Sequence, residues 1–430
     1  MSEFFQRNAE VLQARWPALY ERLQGEACSA LEVELVEGLG STLSVCGIQL
    51  TSRHDRLAEA RLQAASLPED SSTLHLYGSG LGDLQRVLLE RPGLVRLQVY
   101  LLNGALFQLV LQLLDQSDWL ADPRVELAYA GDSAEIALPF FALPSERVLA
   151  DDFNAKVRDR LISEAHLADS NRAFDVADPR LQKLLEDSLP LLRHDPDVAA
   201  LFGSQAGRDC YVIATGPTLA GHLSALARVR AQAERPLFIC VDTAYIPLLR
   251  AGIQPDIVVS VDHKIRLHHL PPQDSAATTL VYMPMLDVEL LGNWRGPRYT
   301  AYSGSALYAQ VRQAIPRAEL FVGGSVIHPA TDLAVKMGAV RITFFGADFA
   351  FPGGRTHTGW DDGVLGPAIA AAQHWVLDGH GQRARTQLNF RSYLIELERF
   401  IARHPQVRFH NTSRAGAHIA GTTFDPEFCS

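Results

Sequence analysis

Four short polar clusters stand where apolar runs end: Gly216-Pro217-Thr218, Asp242-Thr243, Asp262-His263-Lys264 and Gly346-Ala347-Asp348. Ser325 follows Gly323-Gly324 at a predicted helix start, and His357 lies in the loop PGGRTHTGWDDG over 352–363. Backbone N–H groups at a helix start carry a partial positive charge and suit a phosphate. An imidazole titrates near neutrality and can take a proton from a hydroxyl. Carboxylates and hydroxyls fix the orientation of a sugar or nucleoside. The set therefore fits a nucleotide-type ligand.

The elements that must position these groups alternate between strand and helix. Tyr211–Ala214 is an apolar run suited to a buried strand. Gly216 and Pro217 force a turn, and Thr218 opens a helix in which Leu219, Leu223 and Leu226 recur at helical spacing. Leu237–Val241 is the next strand, ending in Asp242-Thr243. Further strands are expected at 257–261, 280–283 and 341–345, with a helix over 326–337. In an open parallel sheet, ligands bind outside the carboxyl ends of the strands. Thr215, Gly216, Pro217 and Thr218, together with Asp242, Thr243, Asp262, Ser325, Gly346, Asp348 and His357, are thus the expected crevice.

A second strand–glycine turn–helix unit lies upstream at 73–91, TLHLYGSGLGDLQRVLLER. The next apolar strand (95–102) ends in Asn103-Gly104, without the acid that would hold a ribose. We read this turn as a packing feature of a Rossmann-like sheet rather than a cofactor loop. Around it, a helix is expected over 4–23, a small antiparallel β element over 31–50 and a helix over 55–66. Residues 131–205 read as linking helices, and 368–404 reads as helical around Trp375, Leu394, Leu397 and Phe400. The expected organisation is an α/β chain. It comprises a Rossmann-like N-terminal domain (1–150), a helical linker (151–205), a central doubly wound domain (206–366) and a helical C-terminal part (367–430).

Composition narrows the function class. The 430 residues carry a net charge of −10, which argues against general nucleic-acid binding. No apolar run is long enough to span a membrane, no secretory h-region is present, and the cytoplasm is the expected compartment. Cys28, Cys46, Cys210, Cys240 and Cys429 are scattered and lack a CxxC pair, so neither a disulfide frame nor a zinc site is expected. His268-His269 are adjacent and lack a third ligand at metal-site spacing.

Several segments then carry a family resemblance: ATGPTL, FICVDTAYIPLLRAGIQPDIVVSVDHK, GGSVIHPATDLAVKMGAVRITFFGADFAFPGGRTHTG and HNTSRAGAHIAG. They resemble the motility-associated factor (Maf) glycosyltransferases of bacterial flagellin, a domain group that includes proteins similar to 6-hydroxymethylpterin diphosphokinase. Ala214 stands where that family has glycine, and Thr218 where it has serine. The GPTL and GADFAF segments also resemble bacterial sialyltransferases that use CMP-sialic acid, with Ala350 where those enzymes carry a tyrosine. The resemblance implies a CMP-activated nonulosonic acid, pseudaminic or legionaminic, as donor and Ser/Thr hydroxyls of flagellin as acceptor. In that reading the 216–218 turn stabilises the leaving phosphate and His357 is the general base. Asp242 and Thr243 hold cytidine or ribose, while Asp262, Ser325 and Asp348 shape the crevice or hold sugar hydroxyls. No cofactor is obligatory, and a divalent metal is compatible with the site. Two alternatives stand beside it. One is an ATP- and magnesium-dependent diphosphokinase acting on a pterin-like substrate through Asp242, Asp262, Lys264 and Arg355. The other is a non-catalytic flagellin-binding protein. The sequence specifies neither the sugar, the acceptor positions nor the oligomeric state.

Overall fold

A computed structural model describes residues 3–133, 135–173 and 178–428 and divides the chain into two units, Met1–Ala165 and His166–Ser430. In the first unit the expected 4–23 helix is two helices, α1 (Glu3–Arg15) and α2 (Pro17–Gln24). Pro17 sits at the first turn of α2, where its missing N–H costs nothing, and the chain bends at Trp16. β1 (Val33–Val36), β2 (Thr42–Val45) and β3 (Ile48–Gln49) form an antiparallel sheet. After α3 (Arg56–Ala65) come β4 (Thr73–Tyr77), α4 (Asp83–Leu89), β5 (Arg96–Leu101), α5 (Gly104–Leu113), α6 (Ser117–Ala121) and β6 (Val125–Tyr129). β7 (Phe140–Ala142) adds a strand where linking helices were expected, and α7 (Pro144–Val148) and α8 (Ala155–Ala173) follow. The order β6-β5-β4-β7 is parallel throughout, a small Rossmann-like sheet.

The glycine turn after β4 has positive φ at Gly78, Gly80 and Gly82. It is filled by the chain itself. The Gly80 N–H donates to the buried Glu146 carboxylate at the start of α7, and the Ser79 hydroxyl lies 3.4 Å from the same oxygen. Burial pushes the Glu146 carboxyl up to about 7.

The second unit opens with α9 (Pro179–His194), then β8 (Asp209–Ile213), α10 (Leu219–Arg230), β9 (Leu237–Val241), α11 (Tyr245–Arg250) and β10 (Ile257–Ser260). β11 (Thr279–Tyr282), α14 (Ile327–Lys336) and β13 (Arg341–Phe345) fall where they were expected, and α12 (Val288–Asn293), β12 (Arg298–Thr300) and α13 (Ala309–Ala314) add to the alternation. The C-terminal part is not only helical. β14 (His374–Leu377), which contains Trp375, pairs antiparallel with β15 (Arg383–Thr386). An aromatic, β-branched run closed by Gly381 at φ +77° turns back on itself more readily than it continues a helix. α15 (Leu388–Ala402) follows, and β16 (Arg408–Asn411) and β17 (Thr423–Phe424) join the main sheet.

That sheet has eight strands in the order β12-β11-β10-β9-β8-β13-β16-β17, all parallel. Its strands read as continuous apolar runs because both faces are covered; Phe238, Ile239, Phe344 and Phe345 are fully buried. From β8 the chain winds outward through β9 to β12, then returns across β8 to place β13 on its other side. The switch point lies between β8 and β13. Cys210 and Cys240 are buried on β8 and β9, Cys28 and Cys46 are also free thiols, and Cys429 lies outside the described residues. No helix is long and apolar enough to cross a membrane among the described residues.

Candidate functional site

A cavity of about 170 Å³ opens at the switch point. Five of its walls are strand ends or a helix start. Ala214–Gly216 follows β8, Asp242-Thr243 follows β9 and Asp262 follows β10. Ser325–Ile327 opens α14, and Gly346–Ala350 follows β13. Thr356 and His357 contribute from the loop beyond, and Phe390 and Tyr393 from α15. Thr215, Gly216, Asp242, Thr243, Asp262, Ser325, Gly346, Asp348 and His357 are thus brought together. Pro217 and Thr218 lie outside the lining.

Asp348 explains that exception. The Thr218 N–H donates to Asp348 Oδ2 at 2.8 Å and the Thr218 hydroxyl to Oδ1 at 2.5 Å. The Gly216 N–H is bound to the Gly346 carbonyl at 2.9 Å. The helix start expected to hold a phosphate is therefore already satisfied by a carboxylate of the same chain. A phosphate there would face a negative charge and a turn without free donors, so the 216–218 assignment is corrected on this geometry. Gly216 has no room for a side chain, since a Cβ would stand 2.4 Å from both Asp348 Oδ2 and the Gly346 carbonyl. Burial raises the Asp348 carboxyl to about 6, against the two bonds from Thr218 that favour its charge.

Asp242 is equally committed. It accepts from the Ser260 hydroxyl and the Thr243 N–H, both at 2.8 Å, and burial raises it to about 7. It ties the end of β9 to β10. Thr243 and Thr215 share a 2.5 Å hydroxyl–hydroxyl bond across the ends of β8 and β9. Asp262 is half-buried and accepts from the Lys264 N–H at 2.9 Å, with His263 Nδ1 3.5 Å away.

The start of α14 is open. No hydrogen bond is made by the N–H groups of Gly323, Gly324, Val326 and Ile327 among the described residues, and the Ser325 hydroxyl is also unpaired. Helix starts leave such donors for water or a ligand. His328 holds the segment in place: its Nδ1 accepts from the Ser325 N–H at 3.2 Å and its Nε2 faces the Tyr393 carbonyl at 2.9 Å. Those partners require the Nε2–H tautomer. Gly324 (φ +95°) packs against the Tyr393 ring, 2.4 Å from where its Cβ would be. Two more hydroxyls reach this cavity unpaired. Thr356 is 3% exposed with Oγ1 unsatisfied, and Tyr393 makes no hydrogen bond through its hydroxyl among the described residues.

His357 is half-buried and has no hydrogen-bond partner among the described residues. Burial lowers it to about 4, so the imidazole is neutral at physiological pH. Its neighbours are pinned. The Thr358 N–H donates to the Thr215 carbonyl at 2.8 Å, its hydroxyl to the carbonyls of Gly216 and Pro217 at 2.9 and 3.2 Å, and Trp360 Nε1 to the Thr243 carbonyl at 2.9 Å.

Residues 184–354 match the family model of MptE-like proteins, described as 6-hydroxymethylpterin diphosphokinase MptE-like. The MptE-like region carries the five strand-end and helix-start walls. His357, Phe390 and Tyr393 lie beyond it. The chain is also similar to the structure of MAf glycosyltransferase from Magnetospirillum magneticum AMB-1, at 16% identity over 99% of this chain and 74% of that one, with a TM-score of 0.43. No curated protein matches the chain. Reasoning from sequence missed Tyr393, Phe390 and Thr356. The two aromatic residues come from a helix whose apolar spacing reads as core, and Thr356 looks like any loop hydroxyl.

Proposed function

We propose that the chain is a glycosyltransferase that moves a nonulosonic acid, of pseudaminic or legionaminic type, from its CMP-activated form to a Ser or Thr hydroxyl of flagellin. The observation that carries this reading is the pairing, in one cavity, of the α14 start at 325–327, where the Val326 and Ile327 N–H groups and the Ser325 hydroxyl are unpaired among the described residues, with a neutral imidazole at His357 that has no partner among them either. The sugar and the acceptor rest on the resemblance of ATGPTL, GGSVIHP and GADFAF to the Maf and sialyltransferase segments.

In this reading the anionic part of the donor meets the Val326 and Ile327 N–H groups rather than the 216–218 turn, whose N–H groups are already bonded. The acceptor oxygen forms a bond to the anomeric carbon as the bond from that carbon to the phosphate oxygen breaks. CMP leaves with the electron pair, and the hydroxyl proton passes to His357. A base at about 4 is weak, but the donor's phosphate and carboxylate charges raise a neighbouring imidazole. At about 170 Å³ the cavity is below the roughly 300–1,000 Å³ of ordinary ligand sites, so it encloses part of the donor. Neither a cofactor nor a metal is needed to balance this step, and a divalent ion is compatible with the donor phosphate.

The MptE-like match favours a second reading, pyrophosphoryl transfer from ATP with magnesium to a pterin-like alcohol. Asp242, one of its expected ligands, already accepts from Ser260 and Thr243, and Lys264 and Arg355 are exposed. Thermal-shift titration separates the two. CMP at a hundredfold excess over its Kd should stabilise the protein by about 2.7 kcal/mol, with ATP–magnesium inert. The reverse result refutes the transferase. Intact-mass analysis of flagellin from cells with and without the gene then tests the sugar and the acceptor.

A further inference from the structure

We infer that Thr358 and Trp360 are positioning residues, which fasten His357 to the ends of β8 and β9 so that the imidazole and the nucleoside side of the cavity move as one piece. The part of this inference that concerns rate rests on the proposed transferase; the part that concerns geometry does not.

The argument begins with what His357 lacks. It has no hydrogen bond of its own among the described residues, so the backbone on either side must set its place. Glycines at positive φ flank the segment, Gly353 and Gly354 before it and Gly363 and Gly366 after it, and none of the four meets an atom that would confine it closely. The middle is fastened to the ends of β8 and β9. Thr358 spends both its donors on carbonyls of Thr215, Gly216 and Pro217, just past β8. Trp360 spends its indole N–H on Thr243, just past β9, and its ring lies 5.3 Å from that of His269. Gly359 between them packs on Pro247, 3.0 Å from where its Cβ would be, and its carbonyl accepts from Arg250 at 3.4 Å.

Three of these acceptor residues, Thr215, Gly216 and Thr243, line the cavity. Thr243 is joined to Thr215 through their hydroxyls and to Asp242 through its N–H. A ligand that pulls on this wall therefore pulls on the carbonyls that hold the strap. The ionisable groups that share the cavity with His357 are Asp242, Asp262, Asp348 and Tyr393. Close confinement away from water sets the imidazole's proton affinity, and a freed strap would return it to solvent.

The test uses the full chain with Trp360→Phe, which keeps a ring against His269 and removes the N–H, and Thr358→Val, which keeps the volume and removes the hydroxyl. His357 is followed by histidine NMR titration without ligand, and donor kinetics are measured in parallel. In both variants the His357 midpoint should rise from about 4 towards the ordinary value of roughly 6.5. In the transfer assay kcat should fall about tenfold, while KM for the donor stays within about twofold. An unchanged His357 midpoint in both variants overturns the inference, even if the melting temperature or the rate falls. If Trp360→Phe does not fold, Thr358→Val decides alone. A raised midpoint together with no transfer by the wild-type protein supports the fastening and sinks the transferase reading instead.

Discussion

His357 is held neutral by burial alone, so its removal leaves no partner stranded. His357→Ala should cut flagellin modification by about 10²–10⁴-fold with cytidine-nucleotide affinity nearly unchanged; wild-type modification in the variant would refute the role of base. Asp348 behaves differently, because its two oxygens hold the start of α10. Asp348→Ala leaves the Thr218 N–H and hydroxyl unpaired in a buried setting, and should cost about 2–5 kcal/mol in a urea melt whether or not ligand is present. The sign of its pH dependence follows from burial. Its folded value of about 6 lies above the unfolded value near 3.8, so its contribution is greatest below 3.8 and is lost as pH rises through 6. Gly324→Ala would force a side chain into left-handed backbone and onto the Tyr393 ring. A loss of about 1–3 kcal/mol is expected by the same melt.

At the scale of elements, His328 joins the start of α14 to α15. It is fully buried, and burial lowers it to about 4. Between about 4 and 6.5 the unfolded chain binds a proton that the folded chain refuses, so acidification through that window destabilises the native state by up to roughly 1.4 kcal/mol per pH unit. His328→Gln, with a donor and an acceptor but no titration, should flatten this slope in denaturant melts at pH 7 and 4.5. An equal slope in both proteins would show that His328 does not carry it. The link also explains why α15 brings Tyr393 to a cavity built largely from strand ends and the start of α14.

At the scale of the molecule, each unit has its own buried core and its own glycine turn filled by a buried carboxylate: Glu146 at Ser79-Gly80, Asp348 at Thr218. In both, an internal carboxylate takes the place a bound phosphate would occupy at a helix start. Calorimetry of the full chain should show CMP raising the transition of the second unit. Gly80→Ala, at φ +54°, should lower that of the first without releasing a bound nucleotide. Stoichiometric nucleotide in purified protein would contradict the latter.

Local pattern was enough to determine β8, β9, β10, β11 and β13 with α10 and α14, the strand-end position of Thr215, Asp242, Asp262 and Asp348, and the helix start at Ser325, since apolar runs and glycine turns report on near neighbours in the chain. Pairing across the sheet was not legible. Nothing local to Asp348 shows that it bonds Thr218, 130 residues earlier, because that contact exists only once β13 lies beside β8. The same holds for the place of β16 beside β13 and of β17 beside β16 in the main sheet. Tyr393 enters the cavity because α15 docks through His328, and apolar periodicity alone cannot say which edge of a helix meets a cavity. Which groups were available came from the sequence; which were already spent on one another was decided by tertiary packing, because a buried donor or acceptor must find a partner wherever the fold brings one within reach.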